Sequence, residues 1–186
     1  MPALRIVGNI SCGNEGQTDH LLTNGVFNML LNRIGHPKKT IRREACWIVS
    51  NIAAGTKRQI TELLGERQLM RQVAMIFHED QIDVRKEACY VFSNMCLLGE
   101  KEVVLKTLYD AEAIEGAVFL ISQNEDQRSI EVGLIALINM LKLGQKVHRD
   151  NPVLAYLGRI PGTYDRIEAL QHHPNKEIYW HVAKII

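Results

Sequence analysis

An asparagine returns along this chain at a nearly constant interval. Successive copies are 42, 43 and 45 residues apart, and they are Asn9, Asn51, Asn94 and Asn139. The residues in front of them recur as well, because RREACWIVSN, which ends at Asn51, is echoed by RKEACYVFSN, which ends at Asn94, with six of the ten positions identical. A period of this length is typical of an array of helical units that stack side by side.

Each unit carries patterns for three helices. The segments from about 39 to 54 and from about 82 to 98 have apolar residues at three- and four-residue steps, which indicates one buried stripe on each helix. Two shorter amphipathic pieces lie between them, at 59–64 and 67–78. Three helices in a little over 40 residues match armadillo geometry better than two-helix repeats of about 34. A glycine follows each of the four asparagines within six residues, and Gly55 and Gly99 are expected to stop their helices. The four glycines are Gly13, Gly55, Gly99 and Gly144.

The sequence therefore predicts an all-α, right-handed superhelical armadillo-repeat solenoid of about three to four and a half repeats, with no strands. We divide residues 1–186 into a partial repeat at 1–13, which is a third helix, repeats at 14–56, 57–99 and 100–144, and an irregular terminal repeat at 145–186. The glycines and prolines between 144 and 162 predict a long loop or partly ordered connection. A final helix pair is expected at 164–171 and 175–186.

The beginning of the chain suggests that the array is N-terminally truncated. Residue 1 falls at the start of a third helix, and no first or second helix precedes it to cover its apolar stripe. Because a solenoid repeat is stabilised by its neighbours, that end predicts fraying, self-association or a missing N-terminal portion.

Composition and charge argue against several functions. No stretch approaches the roughly 18 apolar residues of a membrane-spanning helix, and the start lacks a secretory signal, so we expect a soluble intracellular protein. The formal net charge of +1 creates no field that would attract nucleic acid. Cys46 and Cys89 occupy equivalent places one repeat apart, which predicts core thiols rather than a metal site. Without a phosphate loop, a nucleophile elbow or histidines at ligand spacing, we expect no enzyme, metal or cofactor.

Three residues of each long helix share one face. Spacings of i, i+3 and i+7 bring Glu44, Trp47 and Asn51 together. Adjacent third helices pack about 8 to 10 Å apart, so these residues should form a ladder with their repeat mates. Asparagine amides can bond an extended peptide backbone, aromatic walls can hold a lysine or arginine stem, and carboxylates would select cations. The repeat mates are Glu87, Tyr90 and Asn94.

Structural explanations compete with this interpretation at each position. A lone Trp47 usually packs in a core, a buried asparagine can bond a neighbouring loop, and the glutamates can pair with nearby arginines or lysines. A polar amide at one phase in four units nevertheless favours a binding groove over packing alone.

The motifs resemble those of importin alpha, the armadillo adaptor that carries cargo with nuclear localisation signals. The marks are PALR and GNI at the start, QT at 17–18, Lys38, EACW, SNI, AAG at 53–55 and DRIEALQ near the end. The resemblance is to the C-terminal half of that family, spans nearly the whole chain and is strongest over about the first 100 residues. It implies that the ladder is the minor signal-binding groove. The matching positions are Arg5, Asn9, Gly13, Thr18, Glu44, Trp47, Ser50, Asn51, Glu87 and Asn94.

Two departures shape what the resemblance implies. Tyr90 stands where the family has a tryptophan wall, and Ile135 gives no aromatic wall before Asn139, so the groove should fade toward the C-terminus. In detail, we expect a lysine to enter between Trp47 and Tyr90 while the asparagines hold the peptide backbone.

The resemblance also implies partners. These are basic nuclear-localisation-signal cargo and, in the full-length protein, importin beta and the export receptor, with shuttling between cytoplasm and nucleus and no nucleic acid or membrane partner. The chain shows no importin-beta-binding segment, upstream repeats or acidic tail, so it should bind a basic peptide weakly and transport nothing alone. The alternatives are a generic armadillo or HEAT scaffold for another protein, and a helical-repeat RNA binder, against which the groove glutamates count.

Overall fold

The computed structural model describes residues 2–123 and 126–186, and within those ranges the chain is helical and contains no strand. A short 3-10 helix, Leu170–His172, follows the twelfth α-helix. The α-helices are α1 (Pro2–Ser11), α2 (Glu15–Thr23), α3 (Val26–Ile34), α4 (Lys39–Ala53), α5 (Lys57–Gly65), α6 (Arg67–Glu79), α7 (Ile82–Leu98), α8 (Lys101–Asp110), α9 (Ala113–Ile121), α10 (Gln127–Val147), α11 (Pro152–Leu157), α12 (Thr163–Ala169) and α13 (Lys176–Val182).

The helices form an array of triplets. The third helices α1, α4, α7, α10 and α13 form one layer, and each packs against the one before it. Between them lie the first helices α2, α5, α8 and α11 and the middle helices α3, α6, α9 and α12. The predicted all-α armadillo solenoid is confirmed. The division into repeats at 14, 57, 100 and 145 stays a prediction, and Met1 of its first segment lies outside the described residues.

One hydrophobic core runs along the array from α1 to α13. The stripe predicted for α4 is fully buried from Ala45 to Ile52, and Ile41 at its start is partly buried. In the next repeat Phe77 and Phe92 stack with ring centroids 5.5 Å apart. Cys46 and Cys89 are fully buried free thiols, as predicted, and burial raises the pKa of both. These thiols therefore serve as small apolar groups in the packing between repeats.

Glycines and glutamines set the turns into two first helices. Helix α2 begins with a capping box between Asn14 and Gln17, and α5 begins with one between Thr56 and Gln59. A β-carbon on Gly13 would lie 1.8 Å from the Gln17 side-chain oxygen. One on Gly55 would lie 2.0 Å from that of Gln59. Each glycine therefore leaves room for the glutamine that caps the next helix.

Helix α10 continues through Gly144 to Val147, so the connection does not begin at Gly144 as predicted. Gly144 is buried and permits close packing. A β-carbon there would lie 2.2 Å from Asn151 Oδ1 and 2.9 Å from Val153 Cγ2. The space that a side chain would occupy is filled by the start of α11.

The predicted long connection at 144–162 is also wrong, since α11 occupies Pro152–Leu157. Asn151 caps this helix by accepting a hydrogen bond from Leu154 N at 3.3 Å, and its amide donates to Leu141 O at 3.0 Å. Asparagine followed by proline is a strong helix start, which outweighs the breaker residues around it. In the final helix pair, α12 and the 3-10 helix together end at His172, one residue after the predicted end at 171. Helix α13 ends at Val182, before the predicted end at 186.

Candidate peptide-binding groove

The predicted site residues lie along one exposed side of the third helices. We call this side the third-helix face and define it by Arg5 on α1, Trp47 and Asn51 on α4, and Tyr90 and Asn94 on α7. The 43-residue period places these side chains in register because α1, α4 and α7 pack side by side. The site is thus a direct product of the repeat.

The asparagines connect neighbouring third helices. The side-chain nitrogen of Asn51 donates to Ser11 Oγ and to Cys12 Sγ, both at 3.0 Å. That of Asn94 donates to the Ser50 carbonyl, and that of Asn139 to Ser93 Oγ, again at 3.0 Å. Each of these asparagines therefore has a structural role, because its amide joins its own helix to the preceding repeat.

These bridges also leave part of each amide free. Within the part of the chain that the structure describes, the side-chain oxygens of Asn51 and Asn94 receive no hydrogen bond. The bond to the preceding helix fixes which end of each amide is the oxygen. A carboxamide anchored in this way can still accept a hydrogen bond from a peptide N–H.

Ser50 lies beneath the third-helix face. Its side chain is buried and donates to the Trp47 carbonyl at 2.8 Å, while its own carbonyl accepts the bond from Asn94. Ser11 is likewise buried and donates to the Gly8 carbonyl at 2.7 Å. The predicted residue Ser50 thus orients an asparagine rather than facing a ligand.

Trp47 lies flat against the preceding repeat. A β-carbon on Gly8 would come within 2.1 Å of the Trp47 ring. The Arg5 guanidinium carbon lies 5.0 Å from the ring centroid, within the range of a cation–π contact. The tryptophan is therefore half-buried, and one cation of the chain already sits beside it.

Glu44 is neutralised by the chain itself. Its carboxylate is almost completely buried and forms an ion pair with Arg5, and Arg43 Nη2 lies 3.9 Å from the same oxygen. Its other oxygen is buried without a hydrogen-bond partner. A carboxylate that is buried and paired in this way is a poor selector of incoming cations.

Glu87 and Tyr90 are held in a similar environment. Burial raises the pKa of Glu87, with Glu44 adding to the rise and Arg43 opposing it. The Tyr90 hydroxyl accepts a hydrogen bond from Arg128 Nη2 at 2.7 Å, and burial raises the Tyr90 pKa. The third-helix face therefore carries cations of its own beside each aromatic wall.

A surface cavity of about 440 Å³ opens beside Asn51 and brings three predicted residues together. Gly13 and Asn51 line it, and so does Thr18, which is buried and whose hydroxyl lies 3.5 Å from the Asn14 carbonyl. Asn9 is exposed on α1, one turn before this cavity. The exposed Cys12 and Glu15 also line the cavity.

Several site residues were missed by the sequence reasoning. Ser93 was missed, although it precedes Asn94 as the predicted Ser50 precedes Asn51. This spacing was a visible signal for a residue that bonds the next asparagine, Asn139. Cys12 precedes the predicted Gly13 and could have been included. Arg128 gave no such signal, because its bond to Tyr90 joins residues 38 positions apart.

The described residues show neither a metal cluster nor a transmembrane segment. Among them, no group of three or more histidine, cysteine, aspartate or glutamate side chains is arranged to hold a metal ion. No helix that the structure describes is both long and apolar enough to cross a membrane.

Comparison with known proteins identifies sequences that this chain resembles. Residues 14–54 match the armadillo/beta-catenin-like repeat family. Over 100% of its length the chain is 32% identical to importin subunit alpha-1a of Oryza sativa subsp. japonica and covers 36% of it. Over the same span it is 34% identical to importin subunit alpha-4 of Arabidopsis thaliana and covers 35% of it. The chain thus spans about a third of the length of these curated relatives.

Solved structures support the same fold. Computationally designed armadillo repeat proteins for modular peptide recognition align with a TM-score of 0.78 and 24% identity, over 98% of this chain and 72% of theirs. A designed armadillo repeat protein in complex with peptide (KR)4 aligns with a TM-score of 0.70 and 20% identity, over 98% of this chain and 90% of its own. The chain has the fold of an armadillo-repeat array, and its sequence is similar over its whole length to importin subunit alpha.

Proposed function

We propose that this chain is the peptide-binding part of a nuclear import adaptor and that its third-helix face binds extended basic peptides of the nuclear-localisation type. The anchored asparagines carry this proposal. The side-chain nitrogen of Asn51 donates to Ser11 and Cys12, and that of Asn94 donates to Ser50. Both amides keep a carbonyl oxygen for a ligand. Two such amides, one repeat apart, suit the backbone of an extended peptide irrespective of its side chains.

The aromatic residues supply the side-chain preference. A lysine or arginine stem entering between Trp47 and Tyr90 gains cation–π attraction and covers apolar surface. The cavity beside Asn51 offers a second place for a long side chain, with Glu15 in its lining. A scaffold of the same fold has been solved with an alternating lysine and arginine peptide, which supports this assignment.

The wider role follows from the relatives. As part of an importin alpha, the chain would carry basic cargo, work with importin beta and an export receptor, and shuttle between cytoplasm and nucleus. Ile6 on α1 is 59% exposed, so self-association through that end is part of the proposal.

The test is a fluorescence-anisotropy titration of a lysine-rich peptide at low and physiological salt. The chain is compared with the double variant Asn51→Ala/Asn94→Ala. A matched control is Asn28→Ala/Asn32→Ala, since both of these asparagines are exposed on α3, away from the third-helix face. Salt-sensitive binding that only the first variant loses supports the proposal. Absent binding, or equal binding by all three proteins, refutes it.

A generic armadillo scaffold is the second candidate, and one observation favours it. Arg5 and Arg43 neutralise Glu44, and Arg128 reaches Tyr90, so the face has less negative potential than a cation-binding groove needs. Under this alternative, neutral peptides of equal length bind as well as basic ones. The same titration with a lysine-to-glutamine peptide distinguishes the two functions.

A further inference from the structure

A larger cavity lies away from the third-helix face, between α6 and α8. It has a volume of about 630 Å³ and lies where the middle helix of one repeat meets the first helix of the next. We call it the α6–α8 cleft. Met70, Ala74 and Val103 give it an apolar floor, and Val103 is 48% exposed. Cavities of this size with apolar linings and a few polar groups are typical binding sites.

The rim of this cleft is basic. Arg67 and Arg71 lie one helical turn apart on α6, and both side chains are exposed. Neither forms an ion pair with any residue that the structure describes. Across the cleft on α8, Lys106 pairs with Asp110, which also lines the cavity. The lining therefore holds three cations and one carboxylate.

The corresponding junction in the next repeat is bridged by side chains. There, the Tyr156 hydroxyl on α11 donates a hydrogen bond to the Glu115 carboxylate on α9. The Tyr156 ring also lies 5.1 Å from the ring of Tyr109 on α8. Side chains of the chain itself thus meet across this junction, whereas the α6–α8 junction has an open cleft with a basic rim.

We propose that the α6–α8 cleft is a docking site for an acidic, amphipathic peptide segment of a partner protein. Guanidinium groups bind carboxylates through paired hydrogen bonds, and two arginines one turn apart can hold two carboxylates. The apolar floor takes the apolar residues between them. The two arginines require acidic residues in the bound segment, and the apolar floor requires apolar residues beside them.

The spacing of the arginines fits such a segment. Cβ atoms at positions i and i+4 of a helix are about 6 Å apart, and alternate residues of an extended strand are about 6.6 Å apart. Acidic residues that alternate with leucine or valine would therefore meet Arg67 and Arg71 in register. A nucleic acid would use the arginines, but Phe92 in the lining is fully buried and offers its bases no exposed ring on which to stack.

This site is independent of the proposed groove. Helices α6 and α8 contribute none of the residues that define the third-helix face, so both surfaces can be occupied at once. The proposal for the groove and the proposal for the cleft can therefore fail separately, because each is tested with its own set of variants.

The experiment uses a fluorescein-labelled peptide of alternating glutamate and leucine, titrated by anisotropy against the full chain. Arg67→Glu/Arg71→Glu is expected to weaken binding at least about tenfold, because charge-assisted hydrogen bonds are lost and repulsion replaces them. The control Arg33→Glu/Arg149→Glu makes the same charge change at exposed arginines outside the cleft and should bind like the unchanged chain. Val103→Asp, at a half-exposed position, is expected to weaken binding as well by repelling the peptide from the floor.

Three results would overturn the proposal. One is equal weakening by the cleft variant and its control, which would indicate attraction to net charge alone. Another is the absence of binding of the acidic peptide to the unchanged chain. The third is a single-stranded RNA of matched charge that binds more tightly and depends on Arg67 and Arg71, which would assign the cleft to nucleic acid. Circular dichroism melts confirm that each variant is folded.

Discussion

The indole ring of Trp47 rests on the backbone of Gly8, and only a glycine allows this contact. A β-carbon at position 8 would fall 2.1 Å from one ring carbon and 2.7 Å from another. The position of the proposed aromatic wall is therefore set by a residue of the preceding repeat. Residue 8 should control both the stability of the junction and the binding of peptide.

Gly8→Ala should destabilise the chain by about 1 to 3 kcal/mol, because the ring must move out of a packed site. Urea unfolding measures the free energy, and anisotropy with the lysine-rich peptide should show weaker binding. The matched control is Gly16→Ala on α2, where the nearest heavy atom would be 3.4 Å from the new carbon. That variant should be neutral or more stable, since alanine favours a helix. Unchanged stability of Gly8→Ala would contradict the packing argument.

Tyr90→Trp should tighten binding of the basic peptide by about 0.5 to 1 kcal/mol, because tryptophan gives the larger π face. The substitution also removes the hydroxyl that holds Arg128. Tyr90→Phe serves as the control, since it releases Arg128 without enlarging the ring. Equal tightening by both variants would show that the freed arginine, and not the ring, is responsible.

The Arg5–Glu44 ion pair should be revealed by a double-mutant cycle. Arg5→Gln leaves a buried carboxylate without its main cation and should lower the free energy of unfolding by about 1 to 3 kcal/mol. Adding Glu44→Gln should recover part of that loss, because an amide is cheaper to bury than an unpaired charge. Urea unfolding of the four proteins gives the coupling. Strictly additive losses would mean that the pair contributes nothing.

Asp126 should make stability depend on pH in the acid range. Burial alone would raise its pKa, but hydrogen bonds from Ser129 and Lys86 outweigh that effect and lower the pKa to about 2. An unfolded aspartate titrates near 3.9. The stabilisation is therefore present above about pH 4 and is lost as the pH falls toward about 2.

Unfolding curves across that pH window test the assignment. Asp126→Asn should flatten the decline in unfolding free energy, and Glu168→Gln, at an exposed position on α12, should leave it as in the unchanged chain. A variant of Asp126 that declines as steeply as the parent would show that other carboxylates control the acid transition.

The helices and their order in triplets could be predicted because the apolar residues that each helix buries recur at three- and four-residue steps within a short segment. The stripe from Ile41 to Ile52 specifies a helix without knowledge of its neighbours. Gly144 misled the sequence reasoning, because a glycine that ends a helix and one that admits a packed neighbour look alike in sequence. Only the approach of Asn151 and Val153 separates the two cases.

The residues of the third-helix face could be predicted from the sequence, but the ion pairs that set its charge could not. The repeat period placed the asparagines and aromatic residues together, and the structure adds where each amide nitrogen is committed. Arg128 and the pairing of Arg5 with Glu44 depend on side chains that meet from different repeats, 38 and 39 positions apart. No local pattern encodes such contacts, so the charge of the site had to come from the structure.

The glycine and glutamine at two of the turns have a consequence for how the array could grow. At Gly13 and at Gly55, five consecutive residues hold the whole turn into the next first helix, through a capping box that the glycine makes room for. A turn specified so locally travels with its repeat when a segment is duplicated or deleted. The turn is then inherited with the segment, and a longer array keeps the same angle wherever the glutamine also finds partners in the preceding repeat, as Gln59 does at Glu15 and Asp19.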